Sequence, residues 1–226
     1  MSMKKTNIMM FLFVLLMCTA CKRQDPAQEG QAYTIYEVNK EEIYKEFELN
    51  PEKKTVLFFA GGEFGLGRNT TFMVLKVLIR IFRELQVVAI SGKNKKMNKK
   101  FQELIDQTES SDRVKLLEYT KKVPELMSIS EAVITKAGGL TITECLVSHL
   151  PIVIINPIPG QEEENAEFLV DNGAAIWIKK GDSIARSLKT LSRNPDKLAD
   201  MKKNSERLSK PNSVKKICKI LIEEIS

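Results

Sequence analysis

Three short stretches carry the residue types that a phosphate- and hydroxyl-rich ligand would need, and each follows an apolar run. The first is GGEFGLGRN, residues 61–69. Glycine lets a backbone turn sharply and approach a ligand closely, and a helix start adds unpaired amides and the positive end of its dipole. The stretch is not a dinucleotide fingerprint, because Gly65 and Gly67 would need a third glycine where Thr70 stands. It comes nearer a P-loop, with Gly62 and Gly67 correctly spaced. However, Arg68 and Asn69 occupy the places of the Lys and Ser/Thr that grip phosphates and magnesium. It therefore reads either as a diphosphate cradle of backbone amides, with no metal expected, or as a plain tight turn.

The second stretch, KAGGLTITE (residues 136–144), repeats the arrangement with Gly138 and Gly139. Thr141 and Glu144 have the spacing of a capping box, in which each side chain satisfies the other's amide. Alternatively Glu144 offers a carboxylate to the two hydroxyls of a ribose, as acids do in many nucleotide sites. Spacing alone does not choose between these. The third stretch is NPIPGQEEENA, residues 156–166. Its prolines stop a strand, Gly160 turns the chain, and a helix begins near Gln161. Glu162, Glu163 and Glu164 would favour the helix dipole whether or not a ligand is present. Gln161 and Asn165 lie four apart on one helical face, where paired amides and an acid could read sugar hydroxyls.

Positioning these stretches falls to an alternation of strands and helices. The apolar, β-rich runs are residues 55–60, 86–91, 114–119, 132–137, 151–156 and 174–179. Amphipathic stretches lie between them at 69–84, 95–107, 123–129, 141–149 and 162–171, and helical patterns at 182–192, 196–208 and 213–224 end the chain. Short strands apolar on both faces and separated by helices predict a parallel sheet covered on both sides. This is an α/β, Rossmann-like doubly wound domain, and all three stretches then follow strand carboxyl ends, where such sheets bind ligands.

The 226 residues suit one domain with an appendage, and 43% hydrophobic content is enough for an ordinary core. The net charge is +6. Residues 1–50 hold six Lys or Arg against seven Asp or Glu, leaving 29 against 22 in the remainder. That excess suits a phosphate ligand or an anionic membrane surface, and is too mild for nucleic acid. The lysine-rich run 93–100 reads as a solvated helix face, with contact to anionic lipid heads as its other reading.

At the N-terminus, Lys4 and Lys5 precede the apolar run 8–17, and CTAC ends at Cys21. Basic, apolar, then small residues is the order of a secretory signal, and the run is short for a bilayer span. Residues 1–21 resemble a lipoprotein leader with Cys21 as the lipidated residue, although Cys18 stands where such sites prefer Leu. A non-lipidated signal or a short membrane anchor fits the same order. Residues 22–51 read as a linker with a short helix in KEEIYKEFEL, and the folded domain is drawn at 52–226. Nothing resembling a thioredoxin unit surrounds Cys18 and Cys21, and Cys145 and Cys218 read as buried free thiols.

In order along the chain, AGGEFGLG, SGKN, YTKKVPELM, TKAGGLTITE, LPIVIINPIPGQEEENA and KPNS resemble the C-terminal half of glycosyltransferase family 28. The likeness is nearest to diacylglycerol glucosyl- and galactosyltransferases and more distant to the peptidoglycan-precursor N-acetylglucosaminyltransferase. It covers roughly residues 52–226. It implies a single donor-binding half of the two-domain GT-B architecture, a UDP-sugar as donor and a lipid as acceptor. Amides of the first loop (Gly61, Gly62, Gly65 and Gly67, with Arg68) would hold the diphosphate, and Tyr119 and Thr120 would flank the uracil. Gly138, Gly139 and Thr141 would shape the second loop while Glu144 takes the ribose. Gln161, Glu162 and Asn165 would hold the sugar.

Family members also carry an acceptor-binding N-terminal domain that supplies catalytic groups. About thirty residues between the leader and the donor domain are too few for a second Rossmann unit. Acceptor and base are therefore expected from a partner chain, and no catalytic residue is named. The lone His149 precedes a strand entrance and reads as a packed or surface turn residue. Location pulls two ways, since UDP-sugars are made in the cytosol while the leader points to export. A catalytically silent nucleotide-sugar binder tethered to the membrane, and an envelope lipoprotein that binds no nucleotide, are the rival readings.

Overall fold

The computed structural model describes residues 38–61, 68–92 and 94–225. The leader-like segment with Cys21, the linker up to residue 37, and Gly62, Gly65 and Gly67 lie outside the described residues.

The expected alternation is present. A short helix α1 (Lys40–Glu46) leads into β1 (Thr55–Phe59), α2 (Arg68–Ile81), β2 (Gln86–Ile90), α3 (Lys95–Gln107), β3 (Val114–Leu117) and α4 (Val123–Ser128). Then come β4 (Ser130–Thr135), α5 (Gly139–Val147), β5 (Ile152–Ile155), α6 (Gln161–Asp171) and β6 (Ala175–Ile178). Helices α7 (Ile184–Ser192), α8 (Pro195–Leu208) and α9 (Ser213–Ile225) follow. Among the described residues the strands form one all-parallel sheet in the order β3-β2-β1-β4-β5-β6. Chain direction across the sheet reverses between β1 and β4, which makes that crevice the topological switch point.

The unbroken apolar character of the strands has a direct cause. Side chains alternate across a strand, and here both faces are covered. Val56, Phe58, Val87, Ala89, Ile134 and Val153 point into a core built with Leu75, Leu78 and Ile79 of α2, Phe101 of α3 and Leu188 of α7. Leu57, Val88, Val133, Ile152 and Ile154 point the other way, against Ile43 of α1, Leu126 of α4, Cys145 of α5 and Leu169 of α6. The predicted strands overrun by a residue or two at the carboxyl end, because Ala60 and Gly61 already bend away to hydrogen-bond the Ile90 carbonyl.

On α3, Lys95, Lys96, Lys99 and Lys100 are exposed while Met97 and Phe101 are buried, so these lysines share the outer face of the helix. Asn94 caps this helix, its side-chain oxygen accepting from the Met97 amide at 3.1 Å. Asn94→Ala is expected to lower stability by about 1 kcal/mol, measured as a shift in urea midpoint with unchanged slope.

The boundary drawn at residue 52 falls inside the packed body. Ile43, Phe47 and Leu49 are buried against the second face of the sheet. The buried Gln86 side chain accepts from the Asn50 amide at 2.9 Å and donates to the Asn50 carbonyl at 2.8 Å. Residues 38–51 are therefore part of the domain. Cys145 is buried as expected, but Cys218 on α9 is only partly covered, so the buried-thiol reading holds for Cys145 alone. Among the described residues no helix is long and apolar enough to cross a membrane.

Candidate functional site

All parallel strands end on one rim, and helices α2, α3, α5 and α6 start there. Gly61 leaves β1 in close contact with the turn after β2: a Cβ on it would lie 2.2 Å from the Ser91 carbonyl oxygen. Only glycine lets the two backbones pass at that distance. Arg68 opens α2, immediately after the undescribed glycines.

The second loop departs from its expected cap. Helix α5 begins at Gly139, two residues before the predicted start, with Gly138 in an extended conformation as its N-cap. Thr141 is then the third residue of the helix and Glu144 a full turn in, so the capping box does not form. Neither α5 nor α6, whose N-cap is Gly160, receives a side-chain cap. Their first turns start on this rim without a side-chain cap, where a helix N-terminus favours an anion.

Glu144 is exposed at the surface, yet enough protein surrounds its carboxyl for desolvation to raise its pKa above the ordinary glutamate value. Burial first, and then the Glu144 charge, push the neighbouring Cys145 thiol up as well, the direction that disfavours a thiolate.

The second and third loops are tied together. Asn165 Nδ2 donates to the Ala137 carbonyl at 3.0 Å, and Lys136 Nζ lies 3.3 Å from Glu162 Oε1. Glu162 Oε2 accepts from the Ile158 amide at 2.8 Å. A Cβ on Gly138 would sit 3.6 Å from Glu162 Oε1, so the two loops touch. Asn156, in the left-handed conformation just after β5, donates to Thr70 Oγ1 at 3.0 Å and links the third loop to the first turn of α2. Gln161 opens α6 with its side chain exposed.

Of the predicted residues, Gly138, Glu162 and Asn165 take part in the contacts between the second and third loops. Gly139, Thr141 and Glu144 lie on α5 and Gln161 on α6, and Gly61 and Arg68 follow β1 on the other side of the switch point. Tyr119 and Thr120 follow β3, at the outer edge of the same rim. That is two strand spacings, roughly 10 Å, from β1. Tyr119 is 68% exposed, and Thr120 Oγ1 accepts from the Lys122 amide at 3.0 Å. His149 turns the chain from α5 into β5 at the opposite end of the sheet, in a left-handed conformation. Lys136, Asn156 and Thr70 were not singled out from sequence. A lysine directly after the run AVIT, at the entrance to the second glycine stretch, was the available signal for Lys136. Among the described residues no group of three or more His, Cys, Asp or Glu is gathered to hold a metal ion.

The strand order and its rim of helix starts define a Rossmann-like domain of the kind that forms the C-terminal half of GT-B enzymes. Residues 57–218 match the glycosyltransferase family 28 C-terminal domain, and the chain belongs to that family. The processive diacylglycerol beta-glucosyltransferase of Bacillus subtilis (strain 168) is 35% identical over 182 residues, which cover 80% of this chain and 46% of that one. Its counterpart in Bacillus pumilus (strain SAFR-032) is also 35% identical, over 188 residues covering 83% of this chain and 48% of that protein. The chain thus spans about half the length of the curated relatives it matches. Among solved structures, Acinetobacter baumannii MurG superposes with a TM-score of 0.66 at 21% identity, over 89% of this chain and 58% of that one. Anabaena HepE, solved with UDP-glucose, gives 0.62 at 17% identity, over 82% and 52%. At those identities the structural likeness concerns the fold alone.

Proposed function

We propose that the crevice between β1 and β4 binds a UDP-hexose for transfer to a lipid acceptor such as diacylglycerol. The observation that supports this most is the tethering of the second and third loops to each other, and of the third to helix α2, beside two helix starts that no side chain caps. The 35% identity to diacylglycerol beta-glucosyltransferases supports the choice of donor and acceptor class.

In this reading the turn from Gly61 to Gly67 and the start of α2 hold the diphosphate. Glu144 accepts hydrogen bonds from the ribose hydroxyls, Tyr119 and Thr120 flank the uracil, and the first turn of α6 faces the sugar. An acceptor hydroxyl attacks the anomeric carbon and gives up its proton to a base, while the bond to the diphosphate oxygen breaks and UDP departs. Amides and helix dipoles aimed at the departing diphosphate stabilise the charge that develops on it. The base and the acceptor-binding surface are assigned to protein outside residues 38–225.

Radiolabelled UDP-glucose and diacylglycerol liposomes test the reading. The expected result is UDP binding by the full chain alone, and transfer once an acceptor-binding domain of a relative is supplied. Binding without transfer under both conditions would leave a nucleotide-sugar-binding module, and absence of binding would remove the donor site altogether.

A further inference from the structure

Three arginines meet at the end of the sheet opposite the donor rim. Arg80 stands in the last turn of α2, Arg83 lies just beyond that helix, and Arg113 directly precedes β3. With Thr108, Glu109 and Ser110 they line a cleft of about 630 Å³. That volume falls within the roughly 300–1,000 Å³ of ligand clefts, but this wall is polar where such clefts are mostly apolar. Arg113 is fixed in orientation: its Nη2 donates to the Ile79 carbonyl of α2 and to Ser110 Oγ at 3.3 Å. Its Nη1 is buried without a hydrogen-bond partner, a costly state for a charged donor. Burial lowers the Arg113 pKa; Asp112 opposes that shift, Arg83 adds to it and Glu84 opposes it again. Yet none of these acids closes on a guanidinium. Asp112 pairs with Lys53 at 3.6 Å, and among the described residues no carboxylate is in ion-pair contact with Arg80, Arg83 or Arg113.

We propose that this cleft binds a phosphate monoester, whether soluble or carried on a lipid headgroup. Three guanidiniums set against one lining glutamate leave an excess of two positive charges. A monoester answers it with about −1.5 to −2 charge and three acceptor oxygens, where a carboxylate has one charge and two oxygens. Arg113 supplies the anchored fork, and its unused Nη1 gains an acceptor. Arg80 and Arg83, both exposed, reach the remaining oxygens from the α2 side. Binding of the anion also relieves the repulsion between Arg83 and Arg113. The cleft owes nothing to the donor-site reading, since it lies at the amino ends of the strands.

Arginine side-chain N–H resonances of the full chain, followed by NMR as inorganic phosphate is added at constant ionic strength, test the site. Those of Arg80, Arg83 and Arg113 are expected to shift together along one saturable curve, and sodium chloride is expected not to reproduce it. Arg80→Gln and Arg83→Gln leave the Arg113 anchors in place, and each is expected to raise the phosphate Kd about tenfold with an unchanged urea midpoint. Absence of a saturable shift, an equal response to chloride, or an unchanged Kd in both variants overturns the proposal. Flotation with phosphatidylcholine vesicles, with and without phosphatidic acid, separates the two sources. Phosphatidic acid-dependent flotation that the double variant loses assigns the monoester to a lipid headgroup. Flotation indifferent to phosphatidic acid, with the phosphate shifts intact, assigns it to a soluble compound.

Discussion

Glu144→Ala is expected to weaken UDP binding by roughly 10- to 100-fold, the equivalent of losing hydrogen bonds to a charged group worth about 1.5–3 kcal/mol. The carboxylate belongs to α5, more than one turn past the helix start, and has no capping task that the substitution would disturb. Stability should therefore change little, so a loss of affinity at constant melting temperature separates a ligand contact from a structural one. A pH series adds a second handle. Desolvation raises the pKa of Glu144, so in the free protein it takes up a proton at higher pH than an ordinary glutamate. If the ribose hydroxyls bind the charged form, affinity is full at neutral pH and falls on acidification, beginning above the usual glutamate range. Glu144→Gln should flatten that dependence. For folding the sign is opposite: the cost of keeping this carboxylate charged is absent below the unfolded pKa and fully present above the raised folded one.

Gly61→Ala is expected to cost on the order of 3 kcal/mol or more. The added methyl would sit 2.2 Å from the Ser91 carbonyl oxygen and 2.5 Å from the Gly92 amide nitrogen, both of them backbone atoms that no rotamer change can move aside. The turns after β1 and β2 would have to separate, and the hydrogen bonds of Ala60 and Gly61 to the Ile90 carbonyl would go with them. A loss of that size is a large share of the stability of an ordinary domain. Gly139→Ala is the matched control, since its Cβ would meet nothing within 4 Å. Alanine also suits a helix better than glycine. Urea unfolding of both variants measures the contrast. A Gly61→Ala protein as stable as the unaltered chain would contradict the close approach of the two turns.

What the sequence disclosed was the doubly wound order and the side of the sheet that matters. Runs such as PIVIIN and QVVAIS carry their own evidence, because a strand buried on both faces cannot alternate with polar residues. The glycine and proline positions after them mark where each strand must end. Local pattern was less reliable where identity and geometry part company. Thr141-x-x-Glu144 has the spacing of a capping box, but an extended Gly138 starts α5 earlier and shifts both residues into the helix. In residues 40–49 the charged majority hid Ile43 and Phe47, one helical turn apart, which fasten α1 to the core. The tie between Lys136 and Glu162 was out of reach for a different reason. It joins two loops that meet only because β4 and β5 are neighbours in the folded sheet, and no spacing rule encodes that.

The central claim is that glycine-lined turns and helix starts on one rim form a site for uridine diphosphate. Calorimetric titration of the folded full-length chain with UDP tests it most directly. The expected result is a single saturable site that UDP-glucose competes for and that Glu144→Ala weakens. A flat titration of a demonstrably folded chain would contradict the account.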